Sequence, residues 1–398
     1  MAVIRGRQFF QNPGPTNIPD RVLRAMDRSV LDFNGPEFRA IAERCTDGLR
    51  RIFKTEHAVL SYAASGHGAW EAALVNVLSP GDKVLALESG YFSSGWARLG
   101  GVLGLEVEVM STDWRRGADE AAVEARLIAD RARDIKAVLL VHNETSTGVA
   151  NRVHEIRRAL DRADHPALFM VDVISSLASF DFQMDAWRVD VVVGGSQKGL
   201  MLPSGMSYTA ASAKALKAVE GARMPRGYWD WRPLLAGTRQ ARFPGTAPVH
   251  FFFGLQEALA MLEEEGLDQV FARHHKLAEA TRAAVRAWQQ NDGPQLFAAD
   301  PRVYSDSVTS VLVPEGHDAE AVRRLAYERF NVQLGTGLGP LANRVFRIGH
   351  MGDLNEPMLL GALAAVEMAM ELCGVPHGKG GVAAAMASLT AAARQAAA

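Results

Sequence analysis

The chain has 398 residues, with 43 Lys and Arg against 45 Asp and Glu, for a formal charge of -2. That balance leaves no basic excess to neutralise a nucleic-acid backbone, and no apolar run reaches the ~20 residues of a membrane span. The two cysteines, Cys45 and Cys373, lie too far apart in sequence for a disulfide framework or a Cys-rich metal site. Apolar residues at 48% and charged residues at 22% are those of a globular protein. The opening MAVIRGRQFF lacks the apolar stretch of a secretory signal, and the C-terminus lacks a peroxisomal tripeptide. The expected location is the cytoplasm.

In chain order, Ile41–Phe53 reads as a helix, and then short apolar, β-branched runs alternate with amphipathic ones. The runs Ala58–Tyr62, Lys83–Glu88, Glu106–Met110, Ala137–His142, Leu168–Val173 and Asp190–Val193 predict buried strands, with Ser207–Ala211 as a further one. Between them, Ala69–Leu78, Asp119–Arg133 and Val153–Ala163 predict helices. Strand, crossover, strand in repetition is the pattern of a mostly parallel sheet covered by helices, an α/β fold. Beyond residue 250 the texture changes. Phe251–Glu265 and Leu267–Gln290 predict helices divided by Gly266. Ser307–Pro314 and Val345–Ile348 predict strands, and Ala319–Arg329 and Asn355–Leu372 further helices, which together make a smaller α+β unit. The Ala-rich tail from Gly381 reads as either a marginal helix or disorder.

Five places along this pattern carry chemistry. Lys198 follows the Asp190–Val193 strand through Gly194-Gly195-Ser196-Gln197. Strand ends of such sheets bind ligands, and a lysine desolvated there exposes a nucleophilic amine able to form a Schiff base; the alternative is a surface lysine. Asp172 ends the preceding strand and suits a metal, a base or a partner for a protonated ring nitrogen, or else a helix cap. Ser65-Gly66-His67-Gly68 joins a strand to a helix, where free N–H groups can cradle a phosphate. It is neither a Walker loop nor GxGxxG. Tyr91-Phe92 offers an aromatic to stack on a planar ligand, or core packing. Arg347, flanked by apolar residues, suits a carboxylate or a structural ion pair. A phosphate cup, a stacking aromatic, an acid for a ring nitrogen and an amine for an aldehyde are the four handles of pyridoxal 5'-phosphate.

Six segments then carry a family resemblance: Pro13-Gly14-Pro15-Thr16, Ser65 to Glu71, His142 to Gly148, Val171-Asp172, Gly195 to Gly199 and Phe346 to Gly349. From about residue 12 to 373 the chain resembles the class V, fold type I pyridoxal phosphate aminotransferases. Within them it is most similar to those that move an amino group from serine, alanine or aspartate to glyoxylate by a ping-pong route. The resemblance implies an N-terminal arm (1–16), a large cofactor domain (17–265) with a mostly parallel seven-stranded sheet, and a small C-terminal domain (266–398).

The resemblance also implies roles. Lys198 holds the cofactor and shuttles the α-proton. Asp172 keeps the pyridine nitrogen protonated, and Phe92 and Ile174 enclose the ring. Ser65, Gly66, His67 and Gln197 bind the phosphate. Thr145, or Ser146 in its place, bonds near the ring hydroxyl, and Arg347 clamps the substrate carboxylate. Thr246 reaches the phosphate of the partner subunit, implying a homodimer with active sites at the interface. Phe243 and Gly245 stand where relatives carry Tyr, and Phe33-Asn34-Gly35-Pro36 departs from the early loop of serine-using relatives.

Other readings follow from particular residues. Another acceptor such as pyruvate is an alternative. A cysteine desulfurase needs a mobile nucleophilic Cys beside the cofactor, and a non-catalytic binding protein on this fold would be expected to lose the lysine or the acid. His274-His275, beside Arg273 and Lys276, reads as a solvated pair rather than a metal site, and His142 and His250 raise the same question. Trp229 and Trp231 read as interface or core packing, with a substrate lid as the alternative. A dicarboxylate donor would need a second cation, for which Arg98, Arg239 and Arg242 are the candidates.

Overall fold

A computed structural model describes residues 6–237 and 243–396 of the chain. Its centre is a seven-stranded sheet in the order Ala58–Tyr62, Ser207–Ala211, Val191–Gly195, Leu168–Asp172, Ile135–Val141, Lys83–Glu88, Glu106–Ser111. Only Ser207–Ala211 runs against its neighbours; the other pairings are parallel. The apolar runs are continuous because both faces are buried. Leu85 and Leu87 point into one core cluster, and Val84 and Ala86 into the other.

Helices cover both faces. Asp119 caps Glu120–Ala129 by accepting from Ala121 N and Ala122 N, and Ser212 caps Ala213–Gly221 in the same way. The former ends four residues before the expected Arg133. There the Asp130 carboxylate turns to accept Ile135 N–H at 2.9 Å, which stops the helix and starts the next strand. The remaining expected elements lie within a few residues of their predicted ends.

A second sheet has the order Phe9–Gln11, Val332–Thr336, Val345–Gly349, Val308–Leu312, Gln295–Leu296. The N-terminal segment thus adds an edge strand to it, parallel to Val332–Thr336. Gln11 Nε2 ties this edge to Gly349 O at 2.6 Å. The Ala-rich tail is the helix Gly381–Ala396. Its first turn is held by Glu367, which accepts from Gly380 N, Val382 N and Trp288 Nε1. A carboxylate at a helix N-terminus satisfies orphan N–H groups and the helix dipole together. Ala385 and Leu389 complete the core beneath it.

Candidate active site

The C-terminal ends of the parallel strands converge on a cavity of about 180 Å³. It is lined by Lys198, Asp172, Gln197 and Thr145, by the Ser65–His67 turn, and by Phe92 and Ile174. Sequence-distant segments meet here because each follows a strand of one sheet.

Lys198 is buried, and its Nζ donates to Pro13 O at 2.5 Å. Thr16 anchors the lysine turn from the other side: its N–H reaches Gln197 O at 3.1 Å and its Oγ1 reaches Lys198 O at 3.0 Å. Burial lowers the amine from the usual lysine range to about 7, with Arg347 adding to the effect and Asp172 opposing it. A neutral amine near physiological pH is the nucleophilic form.

Asp172 ends the Leu168–Asp172 strand with its carboxylate buried. Oδ1 accepts Ile174 N–H at 2.7 Å, and Oδ2 accepts the Trp70 indole N–H at 2.6 Å. Burial pushes the carboxyl up to about 7, against the pull of both donors.

The helix Gly66–Val77 begins at the turn expected to cradle a phosphate. Its first-turn N–H groups have no intrahelical acceptor. A Cβ on Gly66 would lie 2.2 Å from Ile174 Cδ1, so glycine lets the turn and the Ile174 side of the cavity come together. Burial lowers the pKa of His67, whose ring lies 4.5 Å from that of Trp70.

Phe92 lies in the first turn of a helix that the sequence pattern did not predict, Tyr91–Val102. Its N-terminus rests on Glu144, which is fully buried. The Glu144 carboxylate accepts from Phe92 N, Ser93 N, Ser93 Oγ, Ser146 N and Ser146 Oγ. Gly90 permits this, since a Cβ there would sit 2.2 Å from Glu144 Cγ. Ser146 is thus occupied by Glu144 and Tyr91 N, whereas Thr145 lines the cavity.

Asn143 also lines the cavity, and its orientation is fixed by a hydroxyl network. Ser175 Oγ donates to Asn143 O at 2.9 Å and receives Thr145 Oγ1 at 2.8 Å. The Ser175 hydroxyl has one proton, so the amide must turn Nδ2 toward it, at 2.8 Å. Among the described residues, Asn143 Oδ1 is then left buried without a partner, as is Gln197 Oε1.

Arg347 sits on the Val345–Gly349 strand with Nε on Thr336 O at 2.7 Å and Nη1 on Thr145 O at 3.0 Å. Burial lowers the guanidinium to about 10, and Glu144 opposes that. Among the described residues Nη2 has no hydrogen-bond partner, which leaves part of the fork for a ligand.

Several expected residues lie elsewhere. Thr246 is exposed and does not line this cavity. Phe243 is core, 5.9 Å from the Phe252 ring. Arg98 lies in an outer groove with Tyr91 and Trp114, and Arg239 and Arg242 fall outside the described residues. Cys45 is buried, donates to Phe252 O and has its thiol pushed up to about 12 by burial. Cys373 packs at the edge of the small-sheet core. Neither thiol lines the cavity.

The expectation of a solvated His274-His275 pair is corrected for its first member. Helix Leu267–Trp288 turns His274 onto the buried face with Val270, Leu277 and Ala278. There its Nδ1 meets Ser179 O at 2.8 Å and its Nε2 accepts Gly352 N at 3.0 Å. His275 faces outward and meets Asp306 at 3.0 Å. Trp231 is fully buried, while Trp229 is half-buried with its indole edge against Gly68.

The residues present fit pyridoxal phosphate. The glycine-built cup with its free N–H groups suits an anion, the unpartnered carbonyl oxygens Asn143 Oδ1 and Gln197 Oε1 suit hydrogen-bond donors, and the low-pKa amine suits an aldehyde. Fold and site together define a pyridoxal phosphate enzyme of fold type I. The chain belongs to the class V aminotransferases, whose family model matches residues 8–346. It is 46% identical over 391 residues to the serine–glyoxylate aminotransferase of Methylorubrum extorquens, with 96% of each chain covered. It is 45% identical over 375 residues to the L-aspartate–glyoxylate aminotransferase of Paracoccus denitrificans, with 94% of each covered. The ureidoglycine–glyoxylate aminotransferase of Bacillus subtilis superposes with a TM-score of 0.88 at 26% identity, covering 98% of this chain and 99% of that one. The protein is a transaminase, and its cofactor is pyridoxal phosphate.

Proposed function

We propose that the enzyme moves the amino group of serine, alanine or aspartate to glyoxylate, giving glycine and a 2-keto acid in two half-reactions. The observation that carries this reading is the convergence of Lys198, Asp172 and Thr145 on one cavity, with Arg347 bonded to the Thr145 carbonyl. The names of the two bacterial relatives supply the acceptor and the choice of donors.

When bound, pyridoxal phosphate supplies an aldehyde for the amino group and a ring that accepts the electron pair left at the donor's Cα. Lys198 would hold the cofactor through its amine, whose lowered proton affinity would also suit it to move the proton at the donor's Cα. Asp172 partners the ring nitrogen, Phe92 and Ile174 enclose the ring, and Thr145 bonds near its hydroxyl. Ser65, Gly66, His67 and Gln197 take the phosphate. Arg347 orients the substrate carboxylate, so that one Cα–H bond faces the lysine.

The same reading divides the chain into an arm (1–16), a large domain (17–265) and a small domain (266–398). It makes the enzyme a cytoplasmic homodimer in which Thr246 completes the partner's phosphate site. The exposure of Thr246, away from its own cavity, supports that.

The test is a donor screen on the purified enzyme. Serine, alanine, aspartate and glutamate are offered with glyoxylate, then serine, aspartate and glutamate with pyruvate, and glycine or alanine respectively is quantified. Glycine from one of the first three donors, at a kcat/KM well above the pyruvate reaction, is the expected result. A preference for pyruvate sinks the glyoxylate assignment.

A further inference from the structure

Trp70 stands within the cup motif, one helical turn after Gly66. Side chains on a helix lean toward its N-terminus, and this one leans back under the cup. Its ring lies 4.5 Å from that of His67 in the cup. It stacks on Trp96 at 6.0 Å with 14° between planes, and Trp96 belongs to the helix whose first turn holds Phe92. Its N–H donates to Asp172 Oδ2 at 2.6 Å. One buried indole therefore touches the three segments that grip the phosphate, the ring face and the ring nitrogen.

We propose that Trp70 is a positioning residue that holds Asp172 ionised and aimed at the cofactor's ring nitrogen. This rests on the reading of Asp172 given above. The argument is one of donors. A carboxylate in an apolar wall readily takes up a proton, and each N–H it accepts favours the charged form instead. Asp172 accepts two, and Ile174 N–H belongs to its own strand end. The Trp70 donor is the one a side-chain substitution can remove. Without it the carboxyl has one fixed oxygen, titrates more readily to its neutral form and is free to turn.

The experiment compares two cofactors on the apoenzyme: pyridoxal phosphate, and its 1-deaza analogue, in which the ring nitrogen is replaced by C–H. Binding is read by equilibrium absorbance, without substrate. Trp70→Phe keeps an aromatic ring and removes the N–H. A hydrogen bond to a charged group corresponds to about 10- to 100-fold in affinity. Trp70→Phe is expected to weaken pyridoxal phosphate by that factor and to leave the deaza analogue within about threefold.

The ratio of the two affinities does not depend on how much of a preparation is folded. If Trp70→Phe fails to fold, Trp70→His, which keeps a ring N–H, is measured in the same way and is expected to keep the wild-type ratio. An unchanged ratio in Trp70→Phe, or a ratio lost in Trp70→His, overturns the inference. A wild type that binds both cofactors equally removes the Asp172 reading instead, so the two failures are distinct.

Discussion

Lys198 Nζ donates to the carbonyl oxygen of Pro13 at 2.5 Å, so the N-terminal segment forms one wall of the lysine's environment. The next residue makes this contact possible. Gly14 has φ +120, and a Cβ on it would lie 2.2 Å from Nζ and 2.3 Å from Cδ of Lys198. Gly14→Ala therefore meets two penalties, an unfavourable backbone region and a displaced lysine. Backbone strain of this kind costs about 1–3 kcal/mol. The expected outcome is a fall in stability of that size in denaturant titration, with at least a ~10-fold loss of kcat from misplacement of the reacting amine. A variant with wild-type kcat would show that the Pro13-Gly14 segment does not set the lysine's position.

The lowered pKa of Lys198 gives a pH prediction. Only the neutral amine attacks an aldehyde, and the neutral fraction rises with pH through the folded pKa. Cofactor loading onto the apoenzyme, followed by visible absorbance, should rise through about pH 7 and then level off, rather than climb toward the usual lysine value of 10.5. Arg347→Met removes a nearby cation that helps to hold the pKa down, so its midpoint should move upward. Lys198→Ala should bind the cofactor only noncovalently and lose turnover. A loading rate that keeps climbing far above neutrality in wild type contradicts a desolvated amine.

Glu144 gives a third prediction, in which stability and cofactor binding fall together. Its carboxylate takes two backbone N–H groups at the start of the Tyr91–Val102 helix and the hydroxyls of Ser93 and Ser146. Glu144→Gln turns an NH2 toward some of these donors, leaving buried groups unpaired at about 1–3 kcal/mol each. The melting temperature should fall by several degrees. Because Phe92 N is among the donors, cofactor affinity should fall with it. Loss of stability alone, with unchanged affinity, would detach Glu144 from the placement of Phe92.

The same residue shows where the sequence is readable and where it is not. Lys83–Glu88 and Ala58–Tyr62 appear where expected, because a strand buried on both faces is apolar throughout. Lys198, Asp172 and the Ser65–His67 turn were legible as strand ends of such a sheet. The Tyr91–Val102 helix was not. Its Ser93, Ser94, Gly95, Gly100 and Gly101 are poor helix formers, and Glu144, which stabilises its start, is brought to it by the fold. His274 was misread for a related reason: Arg273 and His275 beside it in sequence lie on other faces of the helix, while His274 itself meets Ser179 and Gly352. Asn143 and Trp70 stood inside quoted motifs, but their bonds to Ser175, Ser307 and Asp172 are tertiary.

Thr246 carries the last prediction, which tests the proposed contact with a partner subunit. It follows Gly245, at φ +81, on the surface, and lies outside the cavity of its own chain. If its hydroxyl donates to a phosphate across the interface, Thr246→Val removes one hydrogen bond and little volume. At about 1.5–3 kcal/mol for a hydrogen bond to a charged group, cofactor affinity should fall roughly 10- to 100-fold. Sedimentation should show a dimer for both wild type and variant, since the hydroxyl serves the cofactor rather than the contact between subunits. Phe243 is core and Gly245 has no side chain, so neither offers a hydroxyl to substitute for it. A monomeric wild type that still binds cofactor tightly, or a Thr246→Val variant with unchanged affinity, would remove Thr246 from the site.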